Sequence, residues 1–186
     1  KDHQNPDGSF SRNKTSKLVG VTGLALLTFL AHGETPNSDQ YGATVEKAIR
    51  WLLGQQDSKG AWTGNTYAHS IATYALAESY AMTQIPKLKP AVEKGVNIII
   101  DGLVLDKTKK VGSMRPVPGV DANSSSQVTY ARLEYSYKKV TRMDTSVLGW
   151  NAQALKAAKL AGSKNPKLKT AIAQVLNGLM YAQDRQ

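Results

Sequence analysis

The chain has 186 residues, with 24 Lys and Arg against 14 Asp and Glu, and no Cys. That length supports one domain that can bury a substantial core without a disulfide staple. The lack of Cys excludes a thiol nucleophile, a CxxC redox pair, an iron–sulfur cluster and any zinc site with thiolate ligands.

The longest apolar stretch, Leu24 to Ala31, is interrupted by Thr28. It falls far short of the roughly 20 residues a membrane span requires, so no transmembrane segment is expected. A first residue of Lys and the absence of Cys are compatible with an extracytoplasmic compartment. The net charge of +10 raises the question of an acidic partner. The lysines are scattered, however, as at Lys87, Lys94, Lys109, Lys156 and Lys167. No arginine block or basic strand with interleaved aromatics is present, so no nucleic acid partner is expected.

The first predicted helix spans 16–32, with Ser16 as N-cap and Gly33 as its stop. A second spans 41–55 and is amphipathic. Val45, Ala48, Ile49, Leu52 and Leu53 share one face, and Glu46, Lys47 and Arg50 lie off it. The third, 65–83, is capped by Asn65 and rich in Ala. The fourth, 87–103, is opened by Pro86. A long irregular loop is expected at about 104–139, with a short hairpin in its Tyr-bearing tail from Val128 to Val140. The fifth helix, 145–161, is capped by Asp144 and stopped at Gly162. The sixth, 166–183, is opened by Pro166.

These elements repeat. Pro-Lys-Leu-Lys recurs at Pro86 and Pro166, and an Ala-Leu pair recurs at Ala25, Ala75 and Ala154. A period near 50 residues indicates an array of units, each a helical hairpin too small to fold alone. The first helix of each hairpin is poor in charge and is expected to be surrounded by protein. The second has one wet face. The expected fold is therefore all-α, with three to four helical hairpins in inner and outer layers, forming one domain over 1–186.

Two further segments carry a signature. Gln56-Asp-Ser-Lys-Gly60-Ala-Trp62 fits QxxxGxW, and Gln4-Asn-Pro-Asp-Gly8-Ser-Phe10 fits it with Phe for Trp. They resemble the QW motif of the squalene–hopene cyclase and prenyltransferase-type α/α toroid superfamily. The stretch from Asp144 through Trp150 to Ala161 is similar to bacterial prenyltransferase and squalene oxidase repeat proteins. The resemblance implies a ring of hairpins around a central cavity, here small or partial, and structural roles for Gln4, Gly8, Phe10, Gln56, Gly60 and Trp62. It also implies a bacterial origin, in a larger protein. Physically, Gly permits a tight turn, the ring packs on a neighbouring hairpin, and the Gln amide satisfies helix-end groups.

The chemistry of that superfamily is missing from this chain. No DxDD acid motif is present, no two acidic residues are adjacent as DDxxD requires, and no Cys can hold zinc. No cofactor or metal is implied. The expectation is a non-catalytic binding or scaffold module. The alternative is an enzyme acting on a hydrophobic, isoprenoid-like or polymeric ligand in the toroid cavity, with His69, Glu78 and Asp144 as candidate catalytic groups. Tyr67, Tyr74, Trp150 and Asn151 are candidate ligand contacts. For His69 the competing reading is a hydrogen-bonded core histidine, and for Asp144 a helix cap. A cavity with converging polar groups favours the enzyme; a plugged one favours the scaffold.

The last helix carries Leu168, Ile172, Val175, Leu176, Leu179 and Met180 as an apolar stripe. At roughly 25 cal/mol per Å² of apolar area, such a stripe calls for a cover. Two covers are expected: the segment around Phe10 closing the arc, or a second copy joined through this terminal hairpin.

Overall fold

The computed structural model describes residues 3–10, 18–62, 65–110, 127–135, 138–141 and 144–183. Six helices form its body: α1 (Leu18–Ala31), α2 (Gly42–Gln55), α3 (Thr66–Thr83), α4 (Leu88–Asp101), α5 (Thr145–Leu160) and α6 (Leu168–Gln183). Each lies within two residues of its predicted span. Ser16, the expected first cap, lies outside the described residues.

Local chemistry explains the helix ends. Asn65 caps α3 by accepting from the Ala68 N–H, and Asp144 caps α5 by accepting from Ser146 and Val147. Gly33 (φ +80°) and Gly162 (φ +85°) end α1 and α5 in the same double-bonded motif. Glu34 N donates to Phe29 O and Gly33 N to Leu30 O; Ser163 N donates to Ala158 O and Gly162 N to Lys159 O. The prolines depart from expectation. Pro86 and Pro166 do not open α4 and α6 but precede them by two residues. Each follows the first residue of a turn closed by Leu88 N to Ile85 O, or Leu168 N to Asn165 O. The fixed φ of Pro suits that second turn position.

α3 packs most extensively on α1 and α5, while α2 lies against α1, α4 against α3, and α6 against α5. The odd-numbered helices thus form an inner row and the even-numbered ones a second layer. Small residues set the spacing within the row. Ala72, Ala75 and Ala77 of α3 are fully buried, and a Cβ on Gly23 of α1 would come within 2.9 Å of the Ile71 side chain. The Leu of each recurring Ala-Leu pair, at Leu26, Leu76 and Leu155, is fully buried.

The stretch expected as an irregular loop at 104–139 carries strands instead. They are β1 (Leu103–Lys110), β2 (Gln127–Tyr135) and β3 (Lys138–Thr141), an antiparallel sheet in the order β1-β2-β3. The short hairpin expected within Val128–Val140 is present as β2 and β3. Leu103 pairs with Ala131 and Asp106 with Val128; Arg132 pairs with Thr141 and Tyr135 with Lys138. Residues 111–126 lie outside the described set. β2 packs on α6 and also touches α5 and α3.

That sheet changes the account of the last helix. Leu168 and Val175 are buried and the other stripe residues half-buried. β2 packs against this helix, whereas the segment around Phe10 lies elsewhere. The Phe10 ring sits 6.0 Å from Phe29 and its N–H donates to Thr22 Oγ1, so this segment belongs to α1. The sequence did not show that β1 joins the β2–β3 hairpin or that β2 packs on α6, because elements separated by a long insertion meet only through the tertiary fold.

The two QxxxGxW segments adopt one geometry. Gln4 Nε2 donates to Gly8 O at 3.1 Å and to Thr44 O at 2.9 Å; Gln56 Nε2 donates to Gly60 O at 3.0 Å and to Ala91 O at 2.9 Å. Each amide therefore closes its own turn and ties it to the first turn of an outer helix. Gly8 (φ +98°) and Gly60 (φ +97°) sit against that same helix. A Cβ at either would lie 2.4 Å from Lys47 O or from Lys94 Cβ. Trp62 adds a third tie, donating from Nε1 to Leu52 O at the end of α2 at 2.8 Å.

Replacing Gly162, whose Cβ would meet open space, by Ala should cost only the left-handed backbone penalty, about 1–2 kcal/mol. Gly60→Ala adds a clash with helix α4 and should cost about 3 kcal/mol or more. Urea denaturation of both variants checks the ordering. Asn177 is buried and its Nδ2 has no hydrogen-bond partner among the described residues. Asn177→Leu should therefore raise stability by about 1 kcal/mol in the same assay.

Candidate functional site

A cavity of about 250 Å³ lies where the start of α3, the end of α4 and the start of α5 meet. Trp62, Asn65, Thr66, His69, Ser70 and Asn151 line it together with Ile98, Ile99, Ala61 and Gly102. No Asp, Glu, Lys or Arg is among these lining residues. The polar groups come from the α3 cap, one face of its first turns, and one residue of α5.

His69 is buried and engaged at both ring nitrogens. Nε2 lies 3.0 Å from Gly95 O, and since a carbonyl only accepts, Nε2 carries the proton and donates. Nδ1 is then the acceptor, 3.5 Å from the Trp62 N–H. The two rings sit 5.4 Å apart at 57°. Burial pulls the pKa of His69 below the ordinary 6.5, against a smaller upward pull from Gly95 and Asp57. Gly95 permits this cluster, because a Cβ there would lie 2.6 Å from Thr73 Oγ1 and 2.9 Å from Trp62 Cζ3. The histidine thus joins the Gln56–Trp62 turn to α4.

Asn151 is 3% exposed and meets Ser70 across the α3–α5 contact, its Oδ1 2.5 Å from Ser70 Oγ. Thr66 O is also within reach of Ser70 Oγ, at 2.9 Å. A hydroxyl has one proton, and the shorter contact is to Asn151.

The other sequence candidates lie elsewhere. Asp144 is the α5 cap and also accepts from Ser146 Oγ at 2.6 Å and Tyr67 OH at 3.3 Å. Burial acts to raise the Asp144 pKa, but the hydrogen bonds from Ser146, Val147 and Tyr67 outweigh it and hold the carboxyl below its ordinary value. Tyr67 OH also lies 2.5 Å from Ser146 Oγ, so Tyr67 ties α3 to α5. Tyr74 and Glu78 are half-buried, one turn apart on α3; burial and the Glu78 charge push the Tyr74 phenol up. Trp150 is half-buried on α5. None of Asp144, Tyr67, Tyr74, Glu78 and Trp150 lines the cavity.

Of the proposed catalytic and ligand-contacting residues, the structure brings only His69 and Asn151 to this cavity. Sequence reasoning missed Ser70, Asn65 as a wall, and Ile98 and Ile99. A polar Ser within an Ala-rich helix was the available signal for Ser70. The isoleucines carried no signal beyond helical periodicity.

Exposed apolar residues also occur on the inner row: Val21 and Leu24 of α1, Met82 of α3 and Leu160 of α5. On α1 and α5 these positions lie opposite the buried face by helical phase, whereas Met82 sits in the last turn of α3. Among the described residues no helix is long and apolar enough to cross a membrane, and no group of three His, Asp or Glu side chains is placed to hold a metal ion. Comparisons with protein-family models, with curated proteins and with solved structures give no match.

The unfolded chain protonates His69 near 6.5, whereas the folded chain does so only at lower pH. The stability that neutral His69 contributes is therefore complete above about pH 6.5 and is lost as pH falls through the folded value. Gln at this position offers a donor and an acceptor without a titration. In denaturation measured from pH 7 to pH 5, His69→Gln should lose less stability than the parent. Equal pH slopes in the two proteins would show that His69 does not titrate differently on folding.

Proposed function

We propose that this chain is a non-catalytic binding domain, built as a partial α/α toroid of three helical hairpins. The geometry of His69 carries this reading. Its two nitrogens are occupied by Gly95 O and the Trp62 N–H, so acid–base work on a ligand would require breaking the contacts that hold a QW turn to α4. The cavity does gather polar groups, the feature expected of the enzyme alternative. Those groups are neutral, and no nucleophile–base pair stands among them. Asp144 serves as a helix cap, and Glu78 lies away from the cavity.

The toroid reading is supported by the recurrence of one geometry at Gln4 and Gln56, by the inner and outer helix layers, and by the match of both turns to the QW pattern. The exposed apolar residues of α1 and α5, Val21, Leu24 and Leu160, suit binding over chemistry.

Incubation with polyprenyl diphosphates, oligosaccharides and lipids, followed by mass spectrometry, tests this. The expected result is recovery of every candidate unchanged. Turnover that disappears in His69→Ala while the fold is retained would replace the binding domain by an enzyme.

A further inference from the structure

The cavity beside α3 is separate from the exposed apolar residues of α1 and α5, and its chemistry is more specific. Among the described residues its walls carry no charged side chain, so an ionic ligand would meet no counter-charge there and would lose its hydration. Its volume of about 250 Å³ lies below the roughly 300–1,000 Å³ of a site for a drug-sized ligand. A small molecule, or the end group of a larger one, fits that scale.

Asn151 sets the polarity. Its residue surface is 97% buried, yet only its Oδ1 is engaged, by Ser70. Among the described residues Nδ2 has no hydrogen-bond partner, and it is not one of the buried polar atoms sealed from solvent. Asn151 lines the cavity, so the open side of its amide is the cavity itself. Three neighbouring polar groups are committed: His69 bonds Gly95 and Trp62, Asn65 Oδ1 caps α3, and Ser70 Oγ donates to Asn151 Oδ1. A donor in a largely apolar recess gains by meeting an acceptor that brings apolar surface with it, toward Ile98 and Ile99.

We infer that this cavity binds a small uncharged carbonyl compound, its oxygen accepting from Asn151 Nδ2 and its aliphatic body lying against Ile98 and Ile99. The inference rests on the reading of the chain as a binding domain and adds the ligand class. Primary amides of branched short acids meet both requirements. Their carboxylate counterparts have the same shape and fail on charge.

The test is a titration of isotope-labelled protein with isobutyramide and, separately, with sodium isobutyrate, followed by amide NMR. Isobutyramide should give saturable shifts at the Asn151 side-chain amide and at residues 65–70 and 98–102, with half-saturation on the order of millimolar. Isobutyrate should give none at those positions. Asn151→Leu should weaken isobutyramide about fivefold or more, the loss of one hydrogen bond. Asn151 is buried, so Ile98→Trp is a second variant that fills the recess from a half-buried wall and should also abolish the shifts. The inference is overturned if isobutyramide gives no saturable shift at the cavity, if isobutyrate matches it, or if folded Asn151→Leu or Ile98→Trp binds as the parent does. Those outcomes remove the ligand class alone; only catalytic turnover removes the binding-domain reading.

Discussion

The fold depends on how a primary amide spends its two N–H groups. In Gln4 and Gln56 one N–H closes a glycine turn and the other reaches the first turn of an outer helix. A turn and a helix far apart in sequence, by 40 and 35 residues, are thereby fixed with one side chain. The glycine in each turn is needed twice over, for its left-handed backbone and for contact with the helix it meets. Asp7 and Asp57 reinforce the two turns from within. Asp7 accepts from Ser9, and Asp57 from Lys59 and Ala61. Those hydrogen bonds hold both carboxyls below their ordinary pKa.

From that constraint the inner layer follows. The second turn delivers Trp62 against Gly95, and His69 fills the remaining gap by bonding both. A neutral imidazole is the form that fits, since one nitrogen must donate and the other accept. The same packing that consumes His69 leaves a recess next to it, bounded by α4 and by Asn151 of α5. His69 of α3 holds the fold, and Asn151 of α5 lines the open space beside it.

The third hairpin is held differently. No QxxxGxW turn precedes α5; the chain forms β1, β2 and β3 instead, and β2 lies across α6. On α6 itself, Asn177 is enclosed, and its Nδ2 has no partner among the described residues.

The amino-acid sequence by itself determined the helices, the ends set by Gly33, Asn65, Asp144 and Gly162, and which helices are poor in charge, because these depend on periodicity and on neighbours a few residues away. It also marked Gln4, Gly8, Gln56, Gly60 and Trp62, whose spacing repeats. It did not reveal what Gln4 and Gln56 bind, since Thr44 O and Ala91 O are backbone groups that any residue presents. It placed His69, Tyr74, Glu78 and Asp144 together as candidates. The tertiary structure separated them, because helical phase and the α3–α5 contact decide which side chains share a space. The meeting of Ser70 with Asn151, 81 residues apart, and the contact of β2 with α6 were decided only by packing. Such contacts arise from the burial of whole faces, a property that no single residue or local spacing carries.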